Sequence, residues 1–317
     1  MSSISSLTDT RIVITGGTGF LGKHLGECAN SHGLRHVRLL GSRDYDLRDP
    51  NECRRMIECE KPDILIHAAA ICGGIGANRK EPGRFFFDNA TMGIHLIEEA
   101  RIAKVPKFVQ LGTVCSYPKF AKPPFREDCI WNGYPEETNA PYGLAKKMLL
   151  VQLQAYREQY GFNGIYLIPV NLYGEYDNFD LESSHVIPAL IRKFDQAKST
   201  GQRQVTCWGD GSASREFLYA PDAAEGILLA TASYDGAEPV NLGTGEEISI
   251  KTLSELIAKK VGYHGDIVWD TSKPNGQPRR QLDTSRAKEL FGFVATTSMD
   301  TGIDKTLSWY RSQSAAA

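Results

Sequence analysis

A doubly wound α/β fold on a parallel sheet, followed by a smaller C-terminal α/β domain, is predicted by three observations. Short β-branched runs alternate with helical stretches from Ile12 to Val170, the pattern of successive βαβ units. A glycine-rich turn, Gly16-Gly17-Thr18-Gly19-Phe20-Leu21-Gly22, lies between the first strand and the first helix. After Gly174 the alternation loosens into turns, short strands and scattered helices. The 317 residues suffice for one large or two modest domains. We expect residues 1–174, with a return segment near 215–242, in the first domain. Residues 175–214 and 243–317 are expected in the second.

The first strand, Arg11 to Thr15, runs straight into the glycine turn, and the helix behind it reaches about His32. That order is the Rossmann-type context for a dinucleotide, whose pyrophosphate takes the helix N–H groups and the positive end of the helix dipole. The second strand, His36 to Leu40, ends in Gly41-Ser42-Arg43-Asp44. Arg43 can pair with a 2′-phosphate, so the expected cofactor is NADP(H). Asp49 is a cap for a helix starting near Pro50. The third strand, Ile64 to His67, leads into Ala68-Ala69-Ala70, small enough for a cofactor to approach, and a glycine turn spans Gly73 to Asn78. A helix from about Phe85 to Ala103 precedes the strand Lys107 to Leu111.

Gly112-Thr113-Val114-Cys115 stands at the C-terminal end of that strand, the edge where open α/β sheets bind ligands. Thr113 can hydrogen-bond a carbonyl, and Cys115 can move a proton or simply pack. A long proline-rich loop then leads to Tyr142 and Lys146, four residues apart at the opening of a helical run through Tyr160. Such a pair shares one helix face, where the ammonium is expected to favour the phenolate. The next strand, Ile165 to Val170, is left by Asn171-Leu172-Tyr173-Gly174. Beyond it we read a helix after His185 carrying Arg192 and Lys193, a turn at Trp208, a strand from Arg215 to Tyr219 and a helix from Pro221 to Ala232. A turn at Asn241 to Gly245 and helices at 252–261 and 300–311 complete the reading.

Composition narrows the function. Hydrophobic content of 41% and charged content of 23% are ordinary for a globular protein. A net charge of −2 leaves no basic footprint for nucleic acid. No apolar run is long enough to cross a membrane, and the N-terminus has no apolar signal region. Seven scattered cysteines without a C-x-x-C pair point to a reducing, cytoplasmic compartment. No Cys/His cluster shows zinc spacing along the chain, so no metal is expected.

Taken together, the chain resembles the GDP-L-fucose synthase family of extended short-chain dehydrogenase/reductases from Ile12 to about Phe293. The glycine turn and the Tyr142/Lys146 pair carry the superfamily. Cys115-Ser116-Tyr117-Pro118-Lys119 and Ser184-His185-Val186-Ile187-Pro188 carry the narrower family, and Asp177-Asn178-Phe179, Arg215-Glu216-Phe217-Leu218 and the 273–279 segment match it as well. The resemblance implies NADPH-dependent 3,5-epimerisation and 4-keto reduction of GDP-4-dehydro-6-deoxy-D-mannose. It implies Cys115 and His185 for proton exchange, and Thr113, Tyr142 and Lys146 for reduction. Dinucleotide contacts are expected at the glycine turn, Arg43, Ala69, Leu111, Gly112, Lys146, Pro169, Val170, Asn171, Leu172 and His185. Substrate contacts are expected at Lys193, Trp208, Arg215, Asn275 and Arg280. A homodimer pairing two helices per subunit is implied as well.

The chain departs from the family pattern in four places. Thr113 stands for a usual serine, Lys193 for a frequent arginine, Asn275 for an aspartate, and Thr18 for an arginine of some members. The last shifts the 2′-phosphate contact onto Arg43. A C4 reductase or epimerase-reductase for another nucleotide-4-keto-deoxysugar, and a non-catalytic NADP-binding sensor, are the alternatives.

Overall fold

The computed structural model describes residues 3–273 and 275–316. Pro274, within the 273–279 segment, lies outside the described residues. A short 3-10 turn, Ser3–Leu7, precedes β1 (Ile12–Thr15), α1 (Phe20–Ser31) and β2 (Val37–Leu40). Next come α2 (Pro50–Glu60), β3 (Ile64–His67), α3 (Ile75–Lys80), α4 (Pro82–Ile102) and β4 (Lys107–Leu111). Asp49 caps α2 as expected, accepting from the Asn51 N–H at 2.8 Å. The glycine stretch after β3 is not all turn, because α3 starts within it at Ile75.

The chain continues through α5 (Ala140–Tyr160), β5 (Gly164–Pro169) and β6 (Asn171–Tyr173). Pro141 sits in the first turn of α5, where its missing N–H leaves no bond unmade. The helix therefore begins six residues before Lys146 and includes Tyr142. There follow α6 (Val186–Thr200), β7 (Gln204–Trp208), β8 (Ser214–Tyr219), α7 (Ala220–Ser233), β9 (Val240–Leu242), β10 (Glu247–Ser249), α8 (Ile250–Val261), β11 (Asp266–Asp270), α9 (Ser285–Phe291) and α10 (Met299–Ala316).

Strands β2-β1-β3-β4-β5-β9 form one parallel sheet in that order. The segment expected as a turn at Asn241 is thus the sheet's outer strand. Strand order reverses between β1 and β3, which opens a crevice at their C-terminal ends. The segment leaving β5 is itself a strand, with β6 pairing β8 in a separate sheet. A third sheet pairs β7 with β11, both missed in the sequence because they are short and half-exposed.

Two apolar cores result. The larger packs the six-stranded sheet against its helices. The smaller gathers Tyr173, Ile191, Phe194, Phe217, Leu253 and Ile303. Strand β8 divides its side chains between them, Leu218 in the first and Phe217 and Tyr219 in the second. Leu282, Ala287, Phe291 and Phe293 also belong to the larger core, so the 243–317 stretch is shared between the cores.

Glu216 holds this junction. Its fully buried carboxylate accepts from the N–H groups of Thr244 (2.6 Å), Gly245 (2.8 Å) and Leu282 (2.6 Å). Its own N–H donates to Arg280 O at 3.0 Å, and Ser214 N–H to Pro278 O at 2.9 Å. Residues 278–282 are thereby drawn alongside β8. In Glu216→Gln, an amide N–H must face one of those N–H donors. We expect a loss of about 2–3 kcal/mol, read as a lower denaturant midpoint at pH 7 with an unchanged slope. An unchanged midpoint would remove Glu216 from this role.

Candidate active site

One cavity of about 530 Å³ runs from the glycine turn after β1 to the turn after β7. Gly16 adopts φ +70°, and a Cβ there would sit 2.7 Å from the Ala69 backbone. The turn is therefore pressed against the end of β3. α1 starts behind Gly19 with no side-chain cap, leaving its first N–H groups for a ligand. Gly16, Gly19, Phe20, Leu21 and Gly22 line the cavity, whereas Gly17 and Thr18 do not. Gly17 donates to Leu40 O at 2.8 Å and Thr18 packs on Gly41, so both hold the turn against β2. Asp44 is occupied by its own turn, accepting from Gly41 N–H at 2.7 Å. Arg43 is exposed outside the cavity wall, without an ion pair among the described residues.

At the cavity's middle, Thr113 accepts the Cys115 N–H at 3.2 Å and shares a side-chain hydrogen bond with the Tyr142 phenol. Ser116 Oγ donates to Gly143 O at 2.9 Å, and Gly143 has no room for a Cβ against Cys115 O. This contact sets the first turn of α5, and with it Tyr142, beside Cys115. Tyr166 Oη donates to Lys146 O at 2.9 Å, fixing the next turn. Lys146 Nζ donates weakly to Ala69 O at 3.4 Å.

The expected effect of Lys146 on Tyr142 is corrected. Burial pushes the Tyr142 phenol well above its ordinary range, and the nearby thiols of Cys72 and Cys115 push the same way. Burial also lowers the Lys146 ammonium to about 8. Desolvation is the largest influence on both groups. The phenol keeps its proton at neutral pH.

His185 caps the N-terminus of α6 and opens into the cavity, and burial lowers its pKa below the ordinary imidazole value. Its position depends on the 73–76 loop. Gly74 N–H donates to Ser183 O at 3.0 Å, and a Cβ on Gly74 would lie 2.5 Å from Ser184 O. Asp180 accepts from the Glu182 and Ser183 N–H groups at 3.1 Å and completes the knot.

At the far end Arg215 and Arg280 line the wall, and neither forms an ion pair among the described residues. Arg280 donates to Gln277 Oε1 at 3.2 Å and to Cys115 Sγ at 3.6 Å. Arg215 donates to Ser214 O at 2.7 Å and Asn275 O at 3.2 Å. Burial, together with repulsion from Arg280, lowers Arg215 to about 10. Trp208, 52% exposed, lines the cavity, with Lys273 Nζ 5.7 Å from its ring centroid. Lys193 Nζ donates to Thr206 O at 3.2 Å, and Asn275 Oδ1 accepts the Asp210 N–H at 3.0 Å. Ala69, Leu111, Gly112 and the 169–172 segment complete the lining at the β-strand ends.

Residues 12–243 match the sequence profile of the NAD-dependent epimerase/dehydratase family. The chain belongs to that family. It is 38% identical over 301 residues to a protein of Oryza sativa subsp. japonica named probable GDP-L-fucose synthase 1, covering 95% of this chain and 92% of the relative. A GDP-L-fucose synthetase from Naegleria fowleri, solved bound to NADP, superposes with a TM-score of 0.90 at 29% identity, covering 98% of this chain and 96% of that one. A Campylobacter jejuni GDP-6-OMe-4-keto-L-xylo-heptose reductase gives 0.92 at 28% identity, with 96% and 99% covered.

Three residues in or beside this cavity were not named as site residues from the sequence: Cys72 and Gln277 line it and Asp177 lies next to Cys72. Cys72 lies in the field of Lys146, Asp177 and Cys115, a second thiol at the centre. Asp177 is buried with Oδ2 unpartnered, and burial raises it to about 7. Gln277 holds Arg280 in place. Only the fold brings them to the site, although Cys72 adjoins the glycine turn and Asp177 belongs to a quoted motif.

The buried Lys146 ammonium has a consequence for stability. Its folded pKa is depressed, so the unfolded chain binds the proton more readily and wild-type stability rises as pH climbs from about 8 to 10.5. Lys146→Met removes a penalty on the order of 3 kcal/mol below that window. The ligand-free variant should melt higher than wild type at pH 7, and the gap should close by about pH 10.5. Equal melting at pH 7 would mean that the ammonium is compensated.

Proposed function

We propose that this family member converts GDP-4-dehydro-6-deoxy-D-mannose to GDP-L-fucose, with NADPH as reductant. The observation that carries this reading is the convergence of a thiol, an imidazole and a Thr/Tyr/Lys set on one cavity. The far end of that cavity holds two guanidiniums without counter-ions. The named relatives support the same assignment. The dinucleotide fits the near end, where an uncapped helix N-terminus, the Gly16 turn and Lys146 supply positive potential. Arg43, at the end of β2, is assigned to the 2′-phosphate.

The two guanidiniums would hold the diphosphate, and the exposed Trp208 ring would stack on the base. The 4-keto group acidifies the protons at C3 and C5. His185, kept neutral by its lowered pKa, is the base, and Cys115 is its partner on the other face, so that a proton leaves one side and returns on the opposite side. Thr113, hydrogen-bonded to Tyr142 in the ligand-free chain, would turn its hydroxyl to the C4 carbonyl. A bound NADPH supplies hydride to C4. Tyr142, which still holds its proton at neutral pH, gives it to the developing alkoxide. Lys146 places a positive charge at the ribose side of the reaction.

The test is turnover in D2O with NADPH and GDP-4-dehydro-6-deoxy-D-mannose, the product read by NMR. We expect GDP-L-fucose carrying deuterium at C3 and C5. Cys115→Ser should cut deuterium incorporation at least about a hundredfold, in the range for general acid–base groups, with NADPH binding intact. Tyr142→Phe should abolish reduction. Deuterium uptake at the wild-type rate in Cys115→Ser would transfer its role, with Cys72 as the next thiol. A plain C4 reductase is the second reading, favoured by the likeness to the Campylobacter reductase. It predicts NADPH oxidation without deuterium at C3 or C5.

We further propose a homodimer in the cytoplasm, built on α4 and α5. These helices pack on each other and leave Phe86, Phe87, Met148 and Val151 exposed, and the seven cysteines are free thiols. No helix among the described residues is long and apolar enough to cross a membrane. Phe87→Glu should shift light-scattering mass from dimer to monomer. A monomeric wild type at assay concentration would overturn the assembly.

A further inference from the structure

Away from the cavity, three side chains of different chemistry meet between two helices. Cys28 and the cap residue His32 are four apart at the C-terminal end of α1, so they share one face. Glu225 approaches them from α7, which packs on α1. Cys28 Sγ lies 3.2 Å and His32 Nε2 2.7 Å from Glu225 Oε2. The three ligand atoms all fall within 4.8 Å of one another. Both donors converge on the same oxygen, while Glu225 Oε1 takes no hydrogen bond among the described residues.

We propose that Cys28, His32 and Glu225 form a zinc site tying α1 to α7. Thiolate, imidazole and carboxylate are the usual donors for this ion. A tetrahedral zinc complex with these donors has ligand–ligand edges of roughly 3.3–3.6 Å, so the two contacts to Glu225 would open by about half an ångström and the third edge, within 4.8 Å, calls for side-chain adjustment only. The thiol proton leaves to solvent as sulfur binds the ion, and water takes the fourth position. Entry is open, since the His32 and Glu225 side chains are 24% and 39% exposed. The expectation of no metal rested on the absence of a Cys/His cluster with zinc spacing; the third donor, Glu225, lies far along the chain from Cys28 and His32 and is brought in only by the fold. The site is also independent of the proposed reaction. At about 1.5 Å per residue, Cys28 stands roughly 12 Å along α1 from the helix start at the cavity.

The experiment is metal titration of the full chain after chelator treatment and dialysis. With zinc chloride, calorimetry should give one equivalent bound and a raised melting temperature. With cobalt(II), a near-ultraviolet thiolate charge-transfer band should appear and vanish in Cys28→Ser, while Cys72→Ser and Cys115→Ser keep it. Glu225→Gln preserves an acceptor for both donors and should fold. It should weaken zinc binding by at least the tenfold typical for loss of even an outer-shell partner. Absence of stoichiometric binding would overturn the site. So would a cobalt band that persists in Cys28→Ser, or zinc affinity unchanged in Glu225→Gln.

Discussion

A single buried carboxylate governs how the two halves of this chain meet. Glu216 lies on the strand shared by both cores, and its oxygens collect N–H groups from the turn after β9 and from Leu282. Burial raises its pKa, so the ionised form is held by those three N–H groups rather than by a counter-charge. Because Arg215 adjoins it in β8 and Arg280 lies on the segment that runs parallel beside it, one anchor sets the spacing of two cations. The substrate end of the cavity is in this sense a by-product of how a carboxylate satisfies its lone pairs.

The other end follows a different rule, close backbone approach. Gly16 against Ala69, Gly74 against Ser184 and Gly143 against Cys115 are points where a side chain would force segments apart. Each brings a reactive group to the common space: the helix N-terminus, His185 and Tyr142. Desolvation then acts on whatever has been brought in. It holds the proton on Tyr142, weakens that on Lys146 and keeps His185 neutral.

Much of this was legible in the sequence, and unevenly so. The strands β1, β3 and β4 are predominantly apolar and buried along their whole length, and their limits are legible in the sequence to within a residue. Strands β7, β10 and β11 carry mixed exposure and have no such signature; pairing partners distant in sequence create them. Motif residues converged on one cavity because motifs encode local backbone, with Gly17, Thr18 and Arg43 outside its wall. Cys72, Gln277 and the Cys28/His32/Glu225 group went unread since their meaning comes from a neighbour far along the chain. The sign of the Tyr142 shift was misjudged for a related reason. Sequence spacing gives the Lys146 charge but not the dielectric around it.

The two guanidiniums give the ligand-free chain a standing internal repulsion. Any anion that lodges between them relieves it, and a ligand bound only by the folded form deepens the folded well in proportion to the logarithm of its concentration. If the proposed nucleotide-sugar is that anion, the folded form would be more populated where it is abundant, and where it is scarce the chain would unfold more often and meet proteases more often. Abundance would then follow demand without any dedicated regulator.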